Sequence, residues 1–415
     1  MTREEIAVAK KEITEEIRFV WDNCPESFPL FLQEDPALFP VMDARQKKEN
    51  EVQVQEFSQR MQKKFRQKPA DEERQTVWEK SLEQDFMEFL GQERIICAAE
   101  TMGKELLEEF VREAKRFIDR VRAFDGELDQ AQIWQAFRNY LIYAIIVDMQ
   151  GERQNAGDQI LAYSLLYPYT DNYIDNEKIP QECKERYNRM IADKLRGCGV
   201  TPQSPLEERT CLLLDMILGI CSEPAEKKIS GMLLQLLYAQ SSSIGGRITD
   251  VSGDIPVEKI PEKSTEQILE TSIWKGSTSV VADYLLSTPH WTQKEEKFYR
   301  KFGFLLQLID DLQDIEEDRR SGNRTLMAQC RELSVREKYV NRLLWYSWRV
   351  LTEFEPVNPR MKEFVLKNCV AIILDAASVN AQFFSKAYLE ELQPYMLFSV
   401  EFIRKTGKRQ KKSQI

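Results

Sequence analysis

The segment Phe302 to Asp318, FGFLLQLIDDLQDIEED, constrains the fold more than any other part of the chain. On a helical wheel at about 100° per residue, Gly303, Gln307, Asp310, Asp311, Asp314 and Asp318 fall within an arc of roughly 100°. Leu306 and Phe304 flank that arc, and Phe302, Leu305, Ile309, Leu312 and Ile315 cover the rest. A helix that is apolar on nearly every side is buried among other helices, apart from one narrow anionic stripe. The neighbouring segments have the matching character. QAFRNYLIYAIIVDM, ILAYSLLYPYTDNYID, RTCLLLDMILGIC, ISGMLLQLLYAQ and QILETSIWKGSTSVVADYLL all read as core helices. No alternating strand pattern or fixed-period repeat occurs, and Gly and Pro are scarce at 16 each in 415 residues. The expected fold class is all-α, a bundle of packed helices.

At this length a single core has usually stopped growing, so one large helical domain or two closely fused ones are expected. Residues 1–22 are a charged amphipathic pattern that stops where Pro25, Pro29, Pro36 and Pro40 forbid a continuous helix. From about 45 to 125 the chain reads as two or three long amphipathic helices. The expected division is an N-terminal helical extension over 1–125, a core helical domain over 126–403 and a basic, frayed tail over 404–415. The irregular stretch Ser241 to Ser264 has the composition of a lid or binding loop.

Composition removes several function classes. A net charge of −10 disfavours general nucleic-acid binding, which needs a basic surface. The single histidine, His290, leaves almost no room for a His-rich zinc site or a Ser-His-Asp triad. Cys24, Cys97, Cys183, Cys198, Cys211, Cys221, Cys330 and Cys369 form no CxxC pair and read as reduced thiols. With no apolar leader and no span of about 20 apolar residues, the expected location is cytoplasmic. Contact of the basic tail with a membrane surface would be transient.

The acidic stripe carries the chemistry. Converging carboxylates edged by apolar side chains repel one another and lose hydration, so they require cations to stay charged. Oxygen-only ligands select a hard cation, and Mg²⁺ takes a few carboxylates and completes its shell with water and phosphate. A second acidic element is expected across the pocket, and Asp171 and Asp175 supply it, sharing a helix face with Ser164 and Tyr167. Pro168 is expected to kink or restart that helix. Between the two elements, Lys275, Thr271, Thr278 and Ser279 share one helical face and offer donors to a phosphate.

These elements resemble those of the class I isoprenoid synthase superfamily, which includes trans-prenyl diphosphate synthases, squalene and phytoene synthases and class I terpene synthases. LQLIDDLQD, Leu306 to Asp314, is similar to the second aspartate motif FQxxDDxxD, with Leu306 in place of Phe. TDNYIDN resembles the first aspartate motif in its DxxxD form, and WKGSTS resembles the lysine segment that touches diphosphate in prenyl synthases. The likeness covers roughly residues 130–400. The paired arginines that follow the first motif in chain-elongating synthases are absent, as are the NSE/DTE triad and the DxDD of protonation-initiated cyclases. The nearest likeness is to the atypical bacterial class I terpene synthases related to the large-terpene synthases.

The resemblance implies a Mg²⁺-dependent terpene synthase that ionises an allylic prenyl diphosphate and converts the carbocation to a linear or cyclic terpene. By this likeness Asp171, Asp175, Asp310, Asp311 and Asp314 hold the metal, with three ions when substrate is bound and Mn²⁺ as a substitute, while Asp318 is peripheral. Lys275, Thr278, Ser279, Arg247, Arg324 and Gln307 are the expected diphosphate ligands. Tyr163, Tyr167, Trp274, Phe304 and Tyr395 are the expected aromatic faces of the cavity. Two alternatives stay open: a prenyl transferase, chain-elongating or head-to-head, and a non-catalytic helical scaffold that binds a metal or a partner. A homodimer is also left open.

Overall fold

The computed structural model describes residues 2–153, 155, 157–176, 178–219, 223–243 and 264–413, the side chains of 3, 72, 243 and 407–413 excepted. All regular structure among the described residues is helical. In chain order the helices are α1 (Arg3–Asp22), α2 (Phe31–Glu34), α3 (Ala44–Arg66), α4 (Glu72–Gln92), α5 (Ala98–Met102), α6 (Lys104–Phe124) and α7 (Gln130–Met149). There follow α8 (Asp158–Asp175), α9 (Gln181–Leu195), α10 (Pro205–Leu218), α11 (Glu223–Ser243), α12 (Thr265–Ser287) and α13 (Gln293–Gln313). The last are α14 (Ile315–Ser321), α15 (Leu326–Gln329), α16 (Leu333–Thr352), α17 (Pro359–Val379), α18 (Lys386–Leu392) and α19 (Val400–Ser413). Capping boxes open α1 (Thr2 with Glu5), α3 (Asp43 with Gln46), α7 (Asp129 with Gln132) and α12 (Ser264 with Gln267), each satisfying orphan backbone amides. None of these helices is long and apolar enough to cross a membrane. None of the seven described cysteines forms a disulfide.

The chain divides into two compact units, and the division differs from the contiguous blocks 1–125, 126–403 and 404–415 expected from composition. The first unit is Met1–Cys24 with Ala114–Gln329, and the second is Pro25–Glu113 with Cys330–Ile415. Amphipathic α1 belongs to the first because its apolar face is absorbed there: Ile6 joins a cluster with Ala239 and Trp274, and Trp21 meets Phe304 edge-on at 5.7 Å. Ion pairs from Glu16 to Lys297 and Lys301 reinforce that seat.

Within the first unit α12 is buried along nearly its whole length and packs on α13, α11, α7 and α1. Its closest partner is α13, and two glycines set that approach. A Cβ at Gly276 would lie 2.5 Å from the carbonyl oxygen of Gly303 and 2.7 Å from Gln307 Cβ, so the two backbones touch where they cross. Helix α8 packs between α7 and α10, while α9 packs on α10 and α11. The helix does not restart at Pro168: α8 is one helix from Asp158 to Asp175, with the proline buried inside it.

In the second unit the amphipathic stretch resolves into the α3–α4 hairpin. Phe57 stacks on Phe89 at 4.1 Å, and Trp78 donates its indole hydrogen to the Lys64 carbonyl at 2.9 Å. The Glu93 carboxylate accepts four backbone amides, those of Ile95, Ile96, Cys97 and Ala98, and so closes the turn into α5. Helix α16 packs on α17, and its buried Arg336 donates to the carbonyls of Phe383 and Cys330. The stretch expected to fray continues as helix α19 to Ser413, anchored by buried Phe402 and Ile403.

Candidate functional site

Three helices of the first unit bring the acidic elements together around one lysine. Asp171 and Asp175 stand one turn apart at the end of α8, Lys275 lies on α12 beside Gly276, and Asp310 and Asp311 lie in the last turn of α13. The Gly276–Gly303 crossing allows this, because it seats the Lys275 turn directly against the Gln307 turn. Burial works to lower the Lys275 pKa, but Asp171, Asp310, Asp311 and Asp175, in decreasing strength, outweigh it and hold the ammonium above its ordinary value.

The carboxylates carry the complementary strain. Burial raises Asp171 to about 6, opposed by Lys275 and reinforced by Asp175. Burial raises Asp311 to about 7, opposed first by the hydrogen bond from Gln307 and reinforced by Asp310. Asp175 is exposed as a residue, yet enough protein surrounds its carboxyl for desolvation to raise it too, against Lys275 and Lys184. Asp310 is exposed at the rim. Four carboxylates facing one ammonium leave a surplus of negative charge in a poorly solvated place.

Glutamine amides steady the two buried carboxylates. Gln240 Nε2 donates to Asp171 Oδ1 at 2.9 Å, and Gln307 Nε2 donates to Asp311 Oδ1 at 2.8 Å. Ser272 Oγ adds a longer contact to Asp311 Oδ2 at 3.4 Å. Gln307, expected to reach diphosphate, thus spends an amide hydrogen on its own helix. Gln240 was not anticipated, because nothing in the apolar run LLQLLYAQSSS distinguishes one polar residue at the end of α11.

Other expected site residues are placed differently. Thr278 is fully buried and returns its hydroxyl to the carbonyls of Trp274 and Lys275, at 2.8 and 3.1 Å. Ser279 Oγ sits 2.6 Å from the Tyr167 hydroxyl. Asp314 ends α13 and begins the turn into α14, so the stripe bends there, and Asp318 accepts from Asn323 and Thr325 beyond the bend. Arg324 is exposed in the turn before α15. Arg247 and most of the 241–264 stretch lie outside the described residues.

An apolar cavity of about 40 Å³ opens beside Asp171. Thr170 and Gln240, both bonded to Asp171, form its polar end; Tyr163 and Tyr167 line it as expected, and leucines of α8 to α11, such as Leu166, Leu195, Leu214 and Leu237, supply the rest. The volume suits a water-sized guest, so a prenyl chain enters only by displacing leucine side chains. The remaining aromatic candidates are core packing. Trp274 sits in the Ile6 cluster under Lys10, whose ammonium lies 4.9 Å from its ring centre, and Phe304 is fully buried against Trp21. Tyr395 belongs to the second unit, beside Phe28 at 6.2 Å.

Among the described residues no three His, Cys, Asp or Glu side chains converge closely enough to hold an ion between them. The donor set still suits a hard divalent cation: oxygen ligands only, in charge excess, with no histidine or thiol among them. An ion there would take one or two protein oxygens and fill its shell from water and phosphate, the habit of Mg²⁺. No protein-family model matches the chain, and no curated protein matches it.

Proposed function

We propose that this chain is a Mg²⁺-dependent class I terpene synthase that ionises an allylic prenyl diphosphate. One observation carries the reading: two acidic segments on separate helices surround a half-buried lysine at the polar end of an apolar cavity. That arrangement suits a ligand with an anionic, metal-binding head and a hydrocarbon tail.

On this reading Asp171, Asp175, Asp310 and Asp311 hold the metal, and Mg²⁺ bound there supplies neutralisation of the charge that develops on the leaving diphosphate. Lys275 contributes a fixed ammonium to the same task. Its raised pKa keeps it charged at neutral pH, and its four carboxylate neighbours hold it in position until phosphate oxygens compete for it. Gln240 and Gln307 fix the carboxylates they touch, so that little reorganisation accompanies binding. The apolar cavity wall would keep water from the cation, and the Tyr163 and Tyr167 rings on that wall would stabilise positive charge.

The test is incubation of the purified chain with Mg²⁺ and prenyl diphosphates from geranyl to geranylfarnesyl length, singly and with isopentenyl diphosphate, measuring free diphosphate and extracted hydrocarbon. A terpene from one substrate alone, abolished in Asp171→Asn and Asp311→Asn, is expected. A longer diphosphate formed only with isopentenyl diphosphate would make the chain a prenyl transferase. Absence of diphosphate release from every substrate would refute both.

A further inference from the structure

The α3–α4 hairpin of the second unit is seated by polar groups and leaves its apolar ones outside. Every buried side chain of α3 is polar: Lys47, Asn50 and Glu51, near its start. Lys47 and Asn50 donate to the carbonyls of Gln393 and Leu397, and Glu51 accepts from the amide and hydroxyl of Ser399. Beyond that seat the two helices meet through the Phe57–Phe89 stack and through ion pairs from Lys64 to Asp85 at 2.7 Å and from Arg60 to Glu88 at 3.7 Å. At about 100° per residue, Val54, Met61 and Phe65 lie roughly 90° round α3 from these contacts, and Leu82 and Phe86 lie the same angle round α4 in the same sense. Because the helices run antiparallel, both offsets fall on one side, and the hairpin presents a single apolar face. None of the five is fully buried: Phe65 is 58% exposed and Phe86 38%.

We infer that this face is a dimerisation surface and that its partner is the same face of a second copy of the chain. Charge selects that partner. Helix α3 carries seven Lys or Arg against three Glu, a net +4, and α4 carries six Asp or Glu against two Lys or Arg, a net −4. A hairpin of one cationic and one anionic helix is its own complement. A two-fold axis parallel to the helices lays each α3 on the other copy's α4, giving an antiparallel four-helix bundle in which every helix has two neighbours of opposite charge. A two-fold axis across the helices would set α3 on α3, and charge opposes it. An anionic lipid surface would be repelled by α4. The face beyond the seat is about 20 Å long and about 20 Å wide, roughly 400 Å² a side, which suits a reversible association and not a permanent one.

Sedimentation velocity of the full chain, from about 1 to about 100 µM, should show monomer passing into dimer, the range in which an interface of that size populates. Raised NaCl should weaken the dimer, because the charges across it attract. The Phe57–Phe89 stack and the Lys64–Asp85 pair fix the level of the two helices and place Met61 and Phe86 at one height. Met61→Glu and Phe86→Lys should each weaken dimerisation about tenfold or more. An equimolar mixture of the two should restore it, since the new carboxylate on α3 of one copy then faces the new ammonium on α4 of the other. Val77→Glu, on the far side of α4 and 70% exposed, should leave the dimer unchanged. None of the three positions is fully buried, so melts at about 1 µM, where the parent is monomeric too, should match the parent's. Should a variant melt early, the parent's own response to concentration and salt decides. A parent that stays monomeric, a dimer that strengthens with salt, a dimer untouched by Met61→Glu and Phe86→Lys, or a mixture that stays monomeric would overturn the inference. Binding of the monomeric parent to vesicles of phosphatidylcholine and phosphatidylglycerol, lost in Met61→Glu, would overturn it in favour of a lipid surface.

Discussion

Replacing Gly276 with alanine puts a methyl group where two helix backbones touch. The new Cβ would stand 2.5 Å from the Gly303 carbonyl oxygen, against 3.4 Å for ordinary contact, so α12 and α13 must part by about 0.9 Å. Alanine favours a helix over glycine by about 1 kcal/mol, whereas overpacking of this kind costs about 1–3 kcal/mol. The net expectation is a destabilisation of about 0–2 kcal/mol, or a fall in Tm of a few degrees for a body of this size. Gly91 provides the control, since it lies in α4 with nothing within 4 Å of its would-be Cβ. Gly91→Ala should therefore stabilise by up to about 1 kcal/mol. Thermal melts of both variants separate propensity from packing. The larger effect is expected on turnover, because Lys275 and Gln307 flank the crossing, and a displacement of roughly 1 Å at a reacting group can cost 100-fold. A Gly276→Ala protein as stable and as active as Gly91→Ala would refute the account of how the site is assembled.

Burial pushes the Asp283 carboxyl well above the usual carboxylate range, against a hydrogen bond from Asn139. The folded state thus holds that proton more tightly than the unfolded chain, and the resulting stability is present at acid pH and lost as pH rises past about 4. Asp283→Asn should melt higher than the parent at neutral pH by a margin that narrows toward pH ~4; a constant offset would mean the carboxyl is ionised throughout. Gln240→Leu removes the amide on Asp171 and should raise the Mg²⁺ concentration needed for half-maximal diphosphate release by about tenfold or more. An unchanged Mg²⁺ curve would leave Gln240 a mere packing residue. Glu93→Ala strips the acceptor from four backbone amides in the second unit, at a cost of about 2–4 kcal/mol, readable as a lowered denaturation midpoint.

The helical class was legible because patterns such as those of α8, α12 and α13 run for four to six turns, and periodicity is a local property. The acidic stripe was legible for the same reason as far as Asp311; the bend at Asp314 was not, because it depends on how α14 packs. Hydroxyls were read least well. Thr278 and Ser279 share a face with Lys275, yet one returns its hydrogen to its own helix and the other pairs with a tyrosine hydroxyl of α8, a partner more than 100 residues away in sequence. Gln240 was invisible on the same account, since its partner Asp171 is distant along the chain. The interleaving of the two units was hidden because each segment is amphipathic in the ordinary way, and composition does not say which core will take its apolar face.

That interleaving governs how the molecule can come into being. A ribosome releases α1 first, but the surfaces it fits, around Trp274 and Phe304, emerge more than 240 residues later. The stretch from Pro25 to Glu113 likewise waits for Cys330 onward before its own unit has a second half. The first unit is complete only once Gln329 has been made and the second only after Cys330 onward, and a fragment beginning at residue 114 would carry the candidate site with its Trp274 and Phe304 flanks stripped of the helix that covers them.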